Sequence, residues 1–243
     1  MKNKHAYASV IGHLEKFRKS LINCILAVLV LFPCTWPFSK PLLSWITTTL
    51  CPPEMGAMYY THPMGLFFLR LKISFILAIT IAIPIIAWNI WTFILPALYK
   101  KEKKLFQIFS LSSLLLFIFG ASLVIFFIFP TLMRFSVEMQ TSEIRPLFNA
   151  SSCVDMLIWL ILGFGLCFQL PIILLGTIKM KVISVEKLKM LRPYIMVAIF
   201  IIAGLLTPPD IISQLTMAIP TALLFELSLL IGKYIERKNY AKA

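Results

Sequence analysis

The fold is decided by residues 105–133, L-F-Q-I-F-S-L-S-S-L-L-L-F-I-F-G-A-S-L-V-I-F-F-I-F-P-T-L-M, which carry no charged side chain. About 18 to 20 apolar residues are enough to cross the hydrocarbon core of a bilayer as a helix, and this run is longer. In water, its side chains would need a polar cover that the rest of the chain does not supply. The stretch therefore predicts a membrane-spanning helix.

Similar uncharged runs recur along the chain. They lie between Lys19 and Lys40, between Lys72 and Lys100, and between Asp155 and Lys179. The chain has 243 residues, is 60% hydrophobic and has a mean hydropathy of +0.91. A soluble domain of this length needs more polar surface than such a composition provides. We predict an all-α integral membrane protein that forms a single transmembrane domain over residues 1–243.

The last apolar region, from Pro193 to Gly232, is interrupted by T-P-P-D at Thr207–Asp210. Two prolines beside an acid would break one long helix. The first part, about 14 residues, would reach only about 21 Å, short of the roughly 30 Å core. Either both parts cross a thinned bilayer, or they form a re-entrant hairpin buried in protein. Other prolines predict kinked or ended helices and hence a bent bundle: Pro84, Pro96, Pro171 and Pro220.

The net charge of +13 comes from 23 Lys and Arg against 10 Asp and Glu. The basic residues are gathered in clusters between apolar runs, which is typical of loops that set membrane topology and not of a nucleic-acid interface. Eighteen fall on the side of the N-terminus: Lys2, Lys4, Lys16, Arg18, Lys19, Lys100, Lys101, Lys103, Lys104, Lys179, Lys181, Lys187, Lys189, Arg192, Lys233, Arg237, Lys238 and Lys242. By the positive-inside rule both termini are predicted to be cytoplasmic.

One carboxylate stands among the basic residues that follow the second apolar run. Residues 91–104 read W-T-F-I-L-P-A-L-Y-K-K-E-K-K, and Glu102 is the acid. It either pairs with neighbouring lysines at the surface, for less than about 1 kcal/mol, or is held in its ionised form by those lysines. In the second case it can accept a bidentate bond from a guanidinium group, which is a specific way to recognise arginine.

Four further polar side chains lie within or beside apolar runs. Gln169 would either bond a neighbouring helix or line a polar cleft. Asp210 would either complete a helix-start signal with Thr207 or belong to a functional polar site. Gln214, four residues after Asp210, would share its helix face. Glu226 is expected to snorkel to the nearby surface or to pair there.

Cys51 and Cys153 fall in the two segments predicted to lie outside the membrane, about residues 39–71 and 134–155. A disulfide between them is chemically permitted there, but sequence alone does not fix the pairing. Cysteine and histidine show no metal-ligand spacing, and no catalytic set or nucleotide loop is present, so neither an enzyme nor a cofactor is expected. Apolar residues at helical spacing from Val10 to Leu21 predict a short amphipathic helix at the surface before the first span.

Several short motifs give the chain a family resemblance. Phe93–Glu102 matches the pattern F-x-x-P-x-L-x-x-x-E, and further matches follow in order: H-L-E-K-F-R at His13–Arg18, F-Q-L-P at Phe168–Pro171, R-P-Y at Arg192–Tyr194, and G-L-L-T-P-P-D-I-I-S-Q with A-I-P between Gly204 and Pro220. Together they resemble the TatC family, the multi-spanning subunit of the twin-arginine (Sec-independent) protein translocase. The matches cover almost the whole chain.

The resemblance implies six transmembrane helices in a curved, proline-kinked bundle whose last two helices are short. The implied spans are about 21–38, 73–95, 106–130, 156–177, 193–206 and 211–231. It also implies a receptor in the cell (inner) membrane that binds twin-arginine signal peptides of folded cargo at the cytoplasmic face. The implied partners are membrane lipid, the single-span subunits TatA and TatB and further copies of the chain, in a complex driven by the proton-motive force.

Site residues follow from the resemblance by position. Phe93 and Glu102, with Lys103 beside it, match signal-peptide contacts, and Pro41 matches a proline of the first outer loop. Gln169 matches an intramembrane position held by Glu or Gln. Asp210 and Gln214 match polar residues near the outer end of the last span.

One motif departs from the family pattern. That pattern is approximately H-L-x-E-L-R, whereas here the acid is Glu15, one place early, and Lys16 takes its slot. One residue turns a helical side chain by about 100°. By position Glu15 still matches a signal-peptide contact, and a small rotation of the helix would let it help bind the paired arginines. Two other functions are compatible with the residues alone: a solute transporter with a polar path through Gln169 and Asp210, and a structural membrane scaffold.

Overall fold

The structure, a computed structural model, describes residues 2–56, 58–94, 103–140, 147–179, 182–207 and 211–240. These residues are helical almost throughout. The ten α-helices of this part of the chain are α1 (Lys2–Thr35), α2 (Ser39–Trp45), α3 (Gly65–Ile94), α4 (Lys103–Leu123), α5 (Phe129–Glu138), α6 (Ala150–Cys167), α7 (Leu170–Lys179), α8 (Val185–Met190), α9 (Arg192–Leu206) and α10 (Ile211–Tyr240).

Short tighter or wider turns join some of these helices. Two are 3₁₀ turns, Trp36–Phe38 and Pro53–Met55, and two are π-helical turns, Ile46–Leu50 and Val124–Ile128. Because the joints at both ends of α2 and between α4 and α5 are themselves helical, the chain continues without a loop from Lys2 to Leu50 and from Lys103 to Glu138. The all-α fold class predicted from the sequence is confirmed.

Five helical segments are long and apolar enough to cross a bilayer. They are Glu15–Leu50, Gly65–Asn89, Ile108–Glu138, Ala150–Lys179 and Ile211–Arg237. The segment predicted as a span at 193–206 forms a shorter apolar helix, Arg192–Leu206. A helix of 15 residues extends about 22 Å, so the choice between a crossing and a re-entrant hairpin stays a prediction.

Two expectations about the N-terminal third were wrong. The predicted short surface helix before the first span is not a separate element, because α1 runs unbroken from Lys2 to Thr35. The segment after residue 38 was expected to be a loop, yet it is helical as far as Leu50. Pro41 is tolerated there because it lies in the first turn of α2, where a missing backbone N–H costs little.

The fourth apolar run is divided into α6 and α7 at Phe168 and Gln169. Pro171 explains the break, since its ring has no N–H to donate and clashes with the carbonyl four residues earlier, that of Cys167. The amides of Ile172 and Ile173 both donate to the Gln169 carbonyl and restart the helix.

The chain divides into two compact units. The first comprises residues 1–40 and 70–114, and the second comprises residues 41–69 and 115–243. Within the first unit, the end of α1 packs on the start of α3. The rings of Phe32 and Phe75 meet edge to face with centroids 6.3 Å apart, and the Thr35 hydroxyl donates to the Ser74 carbonyl at 2.8 Å.

The second unit has a tightly packed crossing of α4 and α6 at its centre. A Cβ added to Gly165 would lie 2.1 Å from a ring carbon of Phe117. A Cβ added to Gly120 would lie 3.0 Å from the ring of Phe168, which follows α6 directly. Each helix therefore presents a glycine to a phenylalanine of the other. Phe168 is 1% exposed and Phe117 5%.

Candidate functional site

The N-terminal part of α1 carries Glu15, the acid of the H-L-E-K-F-R motif. Glu15, Lys16, Phe17, Arg18 and Lys19 are all exposed. Five consecutive helical residues turn through more than a full circle, so exposure extends around the whole helix at this level. The backbone is regular α-helix here, which means that no bulge returns Glu15 to the position that Lys16 occupies in the motif.

The other end of α1 is held by a polar cluster that the sequence did not predict. Arg70, on α3, lies with its guanidinium carbon 5.1 Å from the Trp36 ring centroid. Its Nε donates to the Ser39 hydroxyl at 3.2 Å. Ser39 and Ser74 are fully buried, and Thr35 is nearly so. Since a buried hydroxyl is costly without a partner, this cluster fixes the end of α1 against the start of α3.

The segment that joins α3 to α4 contains the predicted peptide contacts. Phe93 lies in the last turn of α3, which ends at Ile94, and Lys103 is the first residue of α4. Only the backbone of these two residues is described. Glu102 lies outside the described residues, directly before α4 in the sequence. Its role, and those of Phe93 and Lys103, stay predictions.

Gln169 lies at the break between α6 and α7. Its side-chain amide donates to the Gly165 carbonyl of α6 at 3.4 Å, and the residue is half-buried. At least one hydrogen bond of this amide is therefore used to satisfy the end of α6. A long bond of this kind contributes little, so the side chain keeps capacity for other contacts.

Gln214 ties α10 to α9. Its amide nitrogen donates to the Phe200 carbonyl at 3.0 Å and lies 3.0 Å from where a Cβ on Gly204 would be. The Thr207 hydroxyl donates to the Ala203 carbonyl at 2.8 Å and so binds the end of α9. The amides that Thr207 was predicted to cap, and Asp210 itself, lie in residues 208–210, outside the described residues.

An ion pair joins the start of α9 to α10. Arg192, at the start of α9, makes a bidentate pair with Glu226 of α10, and the bond from its Nε to Oε1 is 2.6 Å. The prediction that Glu226 is paired is correct, but its partner is Arg192 of the R-P-Y motif. No local pattern in the sequence shows that these two residues face each other.

Comparisons with known proteins identify the family. The family model described as TatC, Sec-independent protein translocase protein, matches residues 12–220. The chain belongs to the TatC family. A TatC protein of Haemophilus influenzae is 34% identical over 98% of this chain and 94% of its own length. The TatC protein of Escherichia coli K12 is 33% identical over 95% of this chain and 90% of its own length.

Solved TatC structures have the same fold. A crystal structure of the twin arginine translocase receptor TatC in DDM superposes with a TM-score of 0.81 at 32% identity, covering 90% of this chain and 99% of that one. A second crystal structure of that receptor also gives 0.81 and covers 92% of this chain. The chain is therefore a multi-pass membrane protein of the TatC type. The solute-transporter alternative is not favoured.

The described residues hold no group of three or more His, Cys, Asp or Glu that could bind a metal ion. The structure brings two sets of predicted residues into defined surroundings: Glu15 on the exposed turns of α1, and Gln169 and Gln214 on helix ends of the second unit. Pro41 is exposed in the first turn of α2. The roles of these residues stay predictions.

Proposed function

We propose that this chain is the receptor subunit of a twin-arginine translocase and that it binds the paired arginines of a cargo signal peptide through Glu102. The observation that carries the proposal is the family membership over residues 12–220, because the F-x-x-P-x-L-x-x-x-E motif at Phe93–Glu102 lies inside that range. In that family Glu102 occupies the place of a signal-peptide contact.

The chemistry of the segment supports this role. Lys100, Lys101, Lys103 and Lys104 surround Glu102 in the sequence and favour its ionised form. The amides of the first turn of α4 also favour negative charge beside them, and Glu102 is the residue that precedes that turn. An ionised carboxylate accepts two parallel bonds from one guanidinium, whereas an ammonium ion offers only a point charge.

The arrangement of helices supports a common location for the two acids. From the contact between α1 and α3, each helix continues for 20 residues, to Glu15 and to Ile94, which is about 30 Å. If both helices span the bilayer in succession, Glu15 and the segment after Phe93 are on the same face. The distribution of basic residues makes that face cytoplasmic, in a cell inner membrane. We place both termini there.

The partners follow from the same proposal. The chain works with single-span subunits of the TatA and TatB type and with other copies of itself, driven by the proton-motive force. Pro41, Asp210, Gln214 and Gln169 are proposed to serve assembly or the translocation path, separate from peptide recognition. Signal peptides of folded proteins are the cargo, and membrane lipid surrounds the apolar helices.

The test is a binding measurement on purified full-length protein in lipid nanodiscs. A fluorescent peptide with paired arginines is titrated against the natural chain and against Glu102→Gln. Losing a hydrogen bond to a charged group costs about 1.5 to 3 kcal/mol, which is roughly a ten- to hundredfold weaker affinity. The matched control is Glu54→Gln, an exposed carboxylate of the predicted outer segment, which should bind like the natural chain.

A second peptide in which lysines replace the arginines separates specific recognition from charge attraction. The lysine peptide should bind the natural chain more weakly than the arginine peptide does. The change Glu102→Gln should weaken the binding of the lysine peptide only slightly. Equal affinity of all four combinations would refute the assignment of Glu102. A photo-reactive residue at Phe93 should cross-link the arginine peptide, and its labelling should fall in Glu102→Gln.

A further inference from the structure

Cys51 and Cys153 are brought to the same end of the second unit, although one lies in the first predicted outer segment and the other in α6. The cause is a short backbone clamp. The Tyr59 amide donates to the Phe148 carbonyl at 3.0 Å, and the Ala150 amide donates to the Tyr59 carbonyl at 2.9 Å. These bonds form an isolated parallel bridge between Tyr59 and Asn149.

The clamp fixes where α6 begins. Asn149 caps the helix, since its side-chain oxygen accepts from the Ser151 amide at 2.8 Å, and its nitrogen donates to the Thr61 hydroxyl at 3.3 Å. Cys153 follows one turn later, with its amide donating to the Asn149 carbonyl at 3.1 Å. The segment that contains Cys51 is thus tied to the first turn of the helix that carries Cys153.

Both thiols are buried and free. Each residue is 8% exposed, and all five cysteines of the chain are free. The two groups are close enough to interact electrostatically. Burial, together with the charge that Cys153 would carry, raises the pKa of Cys51 to about 11.

Cys51 also lines a cavity. The cavity has a volume of about 660 Å³ and is bounded by the end of the π-helical turn, the Pro52–Glu54 segment and α5. Its lining includes Thr48, Glu54, Arg134 and Glu138, and Cys153 does not contribute to it. Of the two cysteines, Cys51 is therefore the one beside the space that a small disulfide compound would occupy.

The segment next to Cys51 ends at a glycine. Gly56 has a φ of 67°, in the left-handed region that glycine adopts more readily than other residues. It ends the 3₁₀ turn Pro53–Met55 with an amide that donates to the Pro53 carbonyl.

We propose that Cys51 and Cys153 form a reversible disulfide site, oxidised by exchange with a disulfide compound that enters this cavity. The bond would join the first predicted outer segment covalently to α6. It would reinforce the hydrogen-bonded clamp between Tyr59 and residues 148–150. The site is separate from the peptide-binding residues, and its chemistry can be tested whether or not the proposed membrane orientation is correct.

The exchange balances without any further reactant. The Cys51 thiol gives its proton to water, and the thiolate attacks one sulfur of the compound, whose S–S bond breaks and releases one thiolate. Cys153 is then deprotonated and attacks the Cys51 sulfur, which forms the protein disulfide and releases the second thiolate. The two thiolates take up two protons. Two protein thiols are oxidised and one disulfide is reduced to two thiols.

The rate should depend on pH. Since the pKa of Cys51 is about 11, the reactive thiolate is scarce at neutral pH, and its fraction rises about tenfold per pH unit up to that value. The charged groups that face the cavity are Glu54, from the segment after Cys51, and Arg134 and Glu138, from α5. On α6, Asp155 lies two residues beyond Cys153 and so on the opposite side of the helix.

The experiment uses the purified full-length protein and oxidised glutathione as the probe. After incubation at pH 7 and pH 9, the protein is denatured, free thiols are alkylated, and peptides are analysed by mass spectrometry without reductant. The expected result is a linked pair of peptides containing Cys51 and Cys153, formed at least tenfold faster at pH 9. Reduction should release it. Linkage should persist in Cys34→Ser, which removes an exposed thiol of α1.

Two variants test the order of the steps. Cys153→Ser should accumulate glutathione on Cys51, because the resolving thiol is missing. Cys51→Ser should accumulate little on Cys153, which does not line the cavity. If the natural protein takes up glutathione at Cys34 and no linked pair forms at either pH, the proposal is wrong. Equal glutathione uptake at the two cysteines in these variants would overturn the order of attack.

Discussion

The exposed turns of α1 and the α4–α6 crossing differ in what surrounds their side chains. From Glu15 to Lys19 every side chain is exposed, although one is a phenylalanine. At the crossing, Phe164 is fully buried and a glycine lies against each of Phe117 and Phe168. The crossing is closely packed, while the side chains from Glu15 to Lys19 are open to the surroundings. Recognition residues are expected in the first kind of surroundings and stability in the second.

The polar residues of the second unit sharpen this contrast. Gln214 and Thr207 donate to backbone carbonyls of α9, and Gln169 donates to a backbone carbonyl of α6. At these positions the hydrogen bonds hold helix ends. Glu15, in contrast, lies on exposed turns of α1. If stability and recognition are separated in this way, substitutions in the two regions should change different measurements.

Gly165→Ala should have the largest effect on stability. The new methyl group would meet the Phe117 ring at 2.1 Å, and forcing an extra carbon into a packed core costs about 1 to 3 kcal/mol. The measurement is the thermal unfolding midpoint in detergent. Gly204→Ala is the matched control, since its methyl group meets the end of the Gln214 side chain and would cost at most the bond from that amide to the Phe200 carbonyl. Equal unfolding midpoints for the two variants would contradict the prediction that the α4–α6 crossing is packed more closely than the surroundings of Gly204.

Gln214→Leu should lower the thermal unfolding midpoint less than Gly165→Ala does. It removes the bond to the Phe200 carbonyl, and a hydrogen bond between membrane helices contributes about 1 kcal/mol or less. Peptide binding should stay unchanged. A normal midpoint with loss of export would instead mean that this amide serves the translocation path or assembly and not the hairpin.

Glu226→Gln should have a smaller effect on the midpoint, and one that depends on salt. The side chains of Arg192 and Glu226 are 55% and 31% exposed, so water and ions screen their attraction. The difference from the natural chain should shrink as salt is raised. Combining the change with Arg192→Gln should add nothing further, because the partner is already lost. A salt-independent difference would indicate a packing defect.

The exchange Glu15→Lys with Lys16→Glu should leave the midpoint unchanged. Both positions are exposed, and surface substitutions usually stay within about 0.5 kcal/mol. The exchange moves the acid by about 100° around α1, into the slot of the family motif, at constant net charge. Affinity for the paired-arginine peptide should rise several-fold. Unchanged affinity would show that α1 takes no part in recognition.

The sequence predicted the apolar helices well, because long uncharged runs leave no alternative to spans. It misplaced helix ends. Val10 to Leu21 suggested a separate surface helix, yet nothing in the sequence stops α1 before Thr35. The helical segment from Ser39 to Leu50 was missed because Pro41, Pro52, Pro53 and Pro63 are typical of a loop. Prolines in first helical turns are compatible with helix, and only the neighbouring backbone decides.

The site was predicted less completely. The motifs indicated the family and pointed to Glu102 as a binding residue. Glu102 lies outside the described residues. Pairings between distant segments were out of reach, since no local pattern shows that Arg192 meets Glu226, that Arg70 covers Trp36, or that Tyr59 binds the start of α6. Such contacts follow from packing.

The two glycine–phenylalanine contacts between α4 and the end of α6 also prevent one helix from sliding along the other. Phe117 fits over Gly165, and Phe168 fits beside Gly120. If α6 moved along α4 by one residue, both rings would lose their glycines at once and meet larger side chains. The two helices can therefore tilt but cannot change register. A larger residue at Gly165 should be tolerated only with a smaller one at Phe117, so these two positions are free to vary only as a pair.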